Sequence, residues 1–207
     1  MTNTDASTRP YHHGNLRQAV LAAALDVLRR EGPSAVSLRD LARTVGVRHT
    51  SLYTHFRDRS HLLAVIAAEG FATLLAAMEA TPRSPRRRVV DLAETYVGFA
   101  KAHPAYYRVM FLPEASRPES RVGLEEACDA CFDRLTEALR ENGDLTDGEI
   151  VERAVGVWST LHGLVSLGDD AGPLYGRISR EDLIPIAARI ADALAVDPSD
   201  TRLQRRP

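Results

Sequence analysis

Apolar residues recur at helical spacing along most of the chain. Leu16, Val20, Ala23 and Val27 stand three or four apart, and Leu21, Leu25 and Leu28 widen the same face. Arg29 and Arg30 suit the C-terminal end of this helix dipole, and Gly32-Pro33 ends it. Ser37 starts a second helix. Ser37 and Asp40 form an S-x-x-D capping pattern, with Leu38, Leu41, Ala42 and Val45 as the apolar face over 38–45. Gly46 ends that helix after two turns. A third short helix fits 49–55, with Val47, Leu52 and Phe56 pointing inward. Asp58 can cap a long fourth helix over 59–80, carrying Leu62, Leu63, Ile66, Phe71, Leu74, Leu75 and Met78. Further helical patterns cover 86–102, 104–111, 120–142, 147–168 and 181–196. No segment shows convincing strand alternation, and no internal repeat is visible. The pattern predicts an all-α chain of about nine helices.

The same pattern divides the chain. Residues 1–12 are polar and aperiodic and read as a flexible arm. Residues 13–58 hold the first three helices, and 59–196 hold the others. The tail 197–207, DPSDTRLQRRP, reads as disordered. Two short helices with a glycine between them, 38–45 and 49–55, make a helix-turn-helix. The second helix of such a motif normally lies in the major groove of DNA. Leu52 and Phe56 stand i, i+4 and hold it to its domain. Its other face presents Arg48, His49, Ser51, Thr54 and His55 outward. Such side chains suit phosphates and base edges.

Charge supports the division. The chain of 207 residues has a formal net charge of -2. Residues 1–60 carry nine Arg against five Asp and Glu, whereas 61–207 carry 17 Lys and Arg against 23 Asp and Glu. A basic front and an acidic back point to a nucleic-acid-facing part and a part with another task. No run of about 18 apolar residues is present, so no membrane-spanning helix is expected. The N-terminus lacks the pattern of a secretory signal. Two cysteines give no disulfide framework, and the expectation is a cytoplasmic, reduced protein.

Residues 14–63 resemble the DNA-binding domain of TetR-family (tetracycline-repressor-type, TetR/AcrR) transcription regulators. The resemblance rests on a Ser-started second helix followed by G-V-x-x-x-x-L-Y-x-H-F from Gly46 to Phe56, opening a long fourth helix. The segment Trp158–Gly163 (WSTLHG), taken with 99–111 (FAKAHPAYYRVMF), resembles the ligand-domain signature of one subgroup. The resemblance implies an N-terminal three-helix helix-turn-helix domain followed by a larger helical ligand-binding and dimerisation domain. It implies phosphate contacts at Ser37, Tyr53, His55 and Arg59, and a base- or backbone-reading role for Arg39. His49, Thr50, Ser51 and Thr54 take the base-reading or near-groove positions. Two positions depart from the family pattern. Arg48 stands where a small capping hydroxyl is common, which weakens the cap and adds a cation. Arg59 replaces the usual Lys, keeping the charge with a different geometry.

A reading module this small needs a partner for affinity and half-site spacing. The expected homodimer surface lies on 147–168 and 181–196, through Val151, Val155, Leu161, Leu164, Ile186, Ile190 and Leu194. These helices are apolar around more of their circumference than one contact face requires. The family's intersubunit bundle favours this over burial within one chain. A mostly apolar effector pocket is expected among Phe71, Leu75, Met78, Tyr96, Phe99, Tyr107, Met110, Phe111, Phe132, Trp158 and His162. Trp158 and His162 share a helical face, and Gly163 would allow another backbone to approach. Ordinary core is the competing reading for each of these side chains.

Other signals carry less. Cys128-x-x-Cys131 lies within a helix among Glu125, Glu126, Asp129 and Asp133, which disfavours a thiolate. Small buried hydrophobes are the favoured reading over a redox pair. No metal and no cofactor is expected. Arg86-Arg87-Arg88 reads as a solvated charge run. The whole pattern predicts a dimeric, ligand-responsive transcription regulator of a palindromic double-stranded DNA operator, most often a repressor in this family. Its effector is an unknown small molecule, linked to the DNA-binding domain through helix 59–80. An activator or co-repressor-dependent member of the family is the alternative, and less so an all-α enzyme. No nucleophile–base set, paired catalytic carboxylates or phosphate-cradling loop supports the enzyme.

Overall fold

The computed structural model describes residues 13–82, 87–117, 123–141, 145–169 and 181–195. The expected arm 1–12 and tail 197–207 lie outside these residues, as does Arg86. Among the described residues there are nine α-helices, one 3-10 turn and no strand. They run α1 (His13–Arg30), the 3-10 turn Pro33–Ala35, α2 (Leu38–Thr44), α3 (His49–Leu52) and α4 (Arg59–Ala80). Then follow α5 (Arg88–Ala102), α6 (Pro104–Met110), α7 (Leu124–Arg140), α8 (Asp147–Asp169) and α9 (Leu183–Ala195).

The expected caps set the helix starts. Ser37 Oγ accepts from the Asp40 N–H at 3.4 Å, and Asp58 Oδ1 accepts from the His61 N–H at 2.7 Å. Each satisfies one of the orphan donors of a first turn. Asp40 does not reach back to complete the reciprocal box; its carboxylate takes Arg43 Nη2 at 2.6 Å instead.

α4 organises the rest. It packs against α5, α6 and α7, while α5 lies on α9 and α8 touches both α7 and α9. α1 meets α2 on one side and α6 on the other, so α6 bridges the two parts of the chain. By length and composition α4 could cross a membrane, which corrects the expectation that no helix is apolar enough. Its apolar length serves as core: Leu62–Ala67, Gly70, Phe71, Leu74 and Met78 are buried in the bundle. A helix apolar all round is what a bundle centre requires.

Two sequence expectations change here. Arg88 is not solvated: it is 3% exposed, with Glu141 Oε2 at 3.8 Å from its Nε. It starts α5 on the face that packs inward, whereas Arg87 stays outside and pairs with Asp91 and Glu94. Gly163 has nothing from the described residues of its own chain within 4 Å of the place its Cβ would take, so no element of the same chain packs closely there. Among the described glycines, Gly70 is the one with a close neighbour. A Cβ there would stand 2.9 Å from Met110 Sδ and 3.2 Å from Tyr106 Cβ, so its absence lets α6 lie against α4.

Candidate nucleic-acid interface and interior site

Backbone geometry builds the turn between α2 and α3. Gly46 adopts φ 74°, a left-handed conformation open to glycine at little cost. Its N–H donates to Arg43 O at 3.2 Å, and the Val47 N–H donates to Ala42 O at 3.0 Å. This pair of bonds is a Schellman closure, and Val47 folds back against the core. α3 then starts at Arg48, whose side chain makes no cap bond. The helix closes at Leu52, earlier than the expected 49–55. His55 and Phe56 N–H groups share Leu52 O at 2.9 and 2.8 Å, winding 53–55 as a turn. Leu52 and Phe56 are both fully buried and anchor the segment.

The outer face carries most of the expected groups. Arg39, Arg48, Thr50, Tyr53 and Thr54 are exposed; Ser37, His49 and Ser51 are half-buried. Tyr53 is 50% exposed, and its hydroxyl lies 3.2 Å from His49 Nε2. The two rings meet edge-on at 4.9 Å, so they form one unit on the surface. Ser37 is an acceptor in its cap, which leaves its O–H free to donate. His55 differs from the expectation of an outward group: it is half-buried, and its Nε2 is sealed from solvent with no hydrogen-bond partner. Arg59 also differs. Its Nε donates to Val36 O at 3.0 Å, its Nη2 to Pro33 O at 2.6 Å, and its Nη1 to the Glu114 carboxylate.

The interior holds a continuous run of rings from five helices. Phe132 and Trp158 stand 6.1 Å apart, Trp158 and Tyr96 5.6 Å, and Tyr96 and Tyr107 6.0 Å. The run continues from Tyr107 to Phe111 at 5.3 Å and on to Phe71 at 5.6 Å. A polar thread crosses it. Tyr96 and Tyr107 hydroxyls lie 3.2 Å apart, Tyr107 Oη is 2.8 Å from His162 Nδ1, and His162 Nε2 is 3.4 Å from Ser166 Oγ. Met78 on α4 and Met110 on α6 are buried, and Leu75 is partly buried against the core. Phe99 is buried in the same core, with its ring 5.0 Å from His103. A cavity of about 380 Å³ opens between the end of α4 and α5, lined by Thr81, Pro82, Asp91, Glu94 and Thr95. None of the residues expected for a pocket lines it.

Family comparison decides what this arrangement belongs to. Residues 20–66 match the model of bacterial regulatory proteins of the tetR family, and 89–194 match the tetracyclin repressor-like C-terminal domain. The chain belongs to the TetR family. This TetR-family chain is 29% identical over 156 residues to an uncharacterised HTH-type transcriptional regulator, YobS, of Bacillus subtilis, covering 74% of this chain and 79% of that one. It is 29% identical over 179 residues to the class A tetracycline repressor protein from transposon 1721 of Escherichia coli, covering 84% and 78%. A solved protein of unknown function from Rhodococcus sp. RHA1 is 33% identical, with a TM-score of 0.74 over 91% of this chain and 100% of that one. The chain is thus a TetR-family transcriptional regulator with a helix-turn-helix and a C-terminal ligand domain.

On the TetR-family C-terminal domain, the expected dimer residues separate. Val151 and Val155 are 49% and 50% exposed on α8. Leu164, Ile186, Ile190 and Leu194 are half-buried. Leu161 is 4% exposed and belongs to the chain's own core, because it lies on the α8 face turned toward the bundle. Sequence reasoning missed two groups: Ser166, one turn beyond His162, and Glu114, which is 55 residues from its partner Arg59. Spacing on α8 could have found Ser166; nothing local points to Glu114.

Both thiols are shifted away from the thiolate form. Cys131 Sγ–H donates to Phe71 O at 3.4 Å, and burial, with Cys128 beside it, pushes its pKa up to about 12. Burial, aided by Asp129, also raises Cys128. Histidines move the other way. Burial pushes His162 below the ordinary value of 6.5, and burial with Arg57 does the same for His61. The unfolded chain therefore binds more protons than the folded one below about pH 6.5. This contribution to stability is complete above that pH and is lost as pH falls toward the depressed folded values. The melting temperature should fall as pH is lowered from about 6.5, and His162→Gln should make the fall shallower. Identical slopes for both proteins would show that His162 is not a source of the pH dependence.

Proposed function

We propose that the chain is a cytoplasmic homodimeric repressor that binds a palindromic operator and is controlled by a small, mostly apolar effector. The observation that carries the reading is the α2–α3 unit. Leu52 and Phe56 hold it from inside, while Arg39, Arg48, Thr50, Tyr53 and Thr54 stand exposed together. Arginines and hydroxyls on one short segment suit phosphate anchoring and base-edge reading. Half-buried Ser37, His49 and Ser51 flank them, and partial turning of His55 would add its ring.

The ring cluster supports an effector site in the C-terminal domain. Phe71, Tyr96, Tyr107, Phe111, Phe132, Trp158 and His162 offer apolar surface with a few neutral polar groups, as small-molecule sites do. α4 carries Phe71 inside the bundle and Arg59 at its DNA-domain end. A ligand that favours one placement of α4 would therefore change how two recognition segments are spaced. Exposed Val151 and Val155 support α8, with α9, as the face between two copies.

Selection from a random duplex pool tests the reading. The full-length chain should enrich a two-fold-symmetric sequence, with half-sites about one helical turn apart or a multiple of it. Binding to that duplex should exceed binding to a scrambled duplex about a thousandfold or more at fixed salt. Equal, salt-labile binding to both would leave only generic phosphate attraction.

A further inference from the structure

Arg59 is placed where the family resemblance expects a phosphate clamp, yet each of its three guanidinium nitrogens donates to a partner in the same chain. Two of its nitrogens hold the backbone carbonyls of Pro33 and Val36, just ahead of the Ser37 cap that opens α2. The third holds the carboxylate of Glu114. A lysine, with one nitrogen, could not keep all three partners in this fork-like arrangement. The Arg-for-Lys departure thus has a structural consequence.

Glu114 is not a loosely placed surface acid. It sits in a tight turn just after α6, in which Leu112 N–H reaches Val109 O at 3.1 Å and Ala115 N–H reaches Leu112 O at 3.0 Å. Fully buried Ala115 pins that turn to the core. The same α6 carries Tyr107, which bonds both Tyr96 and His162 in the ring cluster. It also carries Met110, pressed against Gly70 of α4. The side chains of Arg59 and Glu114 are 32% and 43% exposed, so the pair is open to competition by another anion.

We propose that Glu114 is a positioning residue for DNA binding: it withholds Arg59 from the phosphate backbone until α6 moves the carboxylate away. This rests on the DNA-binding reading above. In the bound state Arg59 keeps Val36 and Pro33 and exchanges the Glu114 carboxylate for a phosphate oxygen. The exchange leaves Glu114 to recruit a cation from solution. That uptake offsets the counterion released from the DNA, so the contact adds little to the salt dependence in the native chain.

The test uses the full chain and the duplex enriched from a random pool by the native protein. Glu114→Gln should raise affinity for it about three- to tenfold at 0.1 M salt and steepen log K against log salt by about one per subunit. Removing any nearby negative charge would also help binding, so the cycle with Arg59→Gln separates the two causes. The gain should vanish in the Arg59→Gln background, and each variant should retain its helical circular dichroism. An equal gain with and without Arg59, no gain, or a loss in Glu114→Gln overturns the proposal while leaving the DNA-binding reading intact. Failure of the native chain to enrich any duplex overturns both.

Discussion

Phe56→Ala is expected to lower stability by about 3–5 kcal/mol and to abolish specific DNA binding with it. The Phe56 side chain is 0% exposed and is among the largest fully buried groups in the chain. It closes the DNA-reading domain beneath α3, with its N–H bonded to Leu52 O at 2.8 Å. α3 has four residues and no side-chain cap at Arg48. A helix that short has no stability of its own and depends on tertiary anchoring. Leu52 would be left as the one fully buried anchor on this segment, beside a cavity the size of a phenyl ring. A loss of that size is a large fraction of an ordinary domain's stability. Chemical denaturation followed by circular dichroism gives the energy, and fluorescence anisotropy on the selected duplex gives the binding. A variant with native stability and native affinity would mean that α3 is held by something other than this anchor.

Much of this DNA-reading part was legible because its determinants are local. Ser37 and Asp58 cap the residues three positions on, as their side chains suggest. Gly46 marks the turn because its φ of 74° suits few other residues. Leu52 and Phe56 were readable as anchors from their i, i+4 spacing. The end of α3 was not, because helical spacing continues through 53–55 although the backbone there has tightened to a turn.

What stayed hidden depends on distant partners. Arg59 shows its charge in the sequence but not the Glu114 carboxylate 55 residues away. Arg88 looks like one member of a solvated run, yet the packing of α5 turns it inward and Arg87 outward. Periodicity also cannot say which apolar stripe of α8 faces its own chain. Leu161 and Val155 read alike in sequence, and the bundle buries one while leaving the other half exposed. The ring cluster was readable as a set of aromatic residues on helix faces. The hydrogen-bonded thread from Tyr96 to Ser166 required the packing of α5, α6 and α8 together.

The open stripe on α8 leads to the second large effect. If two copies pair through this stripe as proposed, Val155→Glu should give a folded monomer and weaken binding to the proposed palindromic duplex by about 10²–10⁴. Within one chain the position is 50% exposed, so a glutamate there remains solvated and the fold should survive. Between two copies the same position would bury an unpaired carboxylate. Uncompensated burial of a charge is strongly destabilising, on the order of 3–5 kcal/mol. Loss of the second subunit then removes the intramolecular advantage of the second half-site, which sets the fall in affinity. Val151 lies one turn earlier on the same face, and Val151→Glu should act in the same direction. Size-exclusion chromatography with light scattering reports the mass, and circular dichroism verifies the helices. A Val155→Glu protein that remains dimeric with unchanged duplex affinity would move the subunit contact off this face of α8. Monomers that retained full affinity would instead show that pairing of half-sites contributes nothing, and would overturn the palindrome as the target.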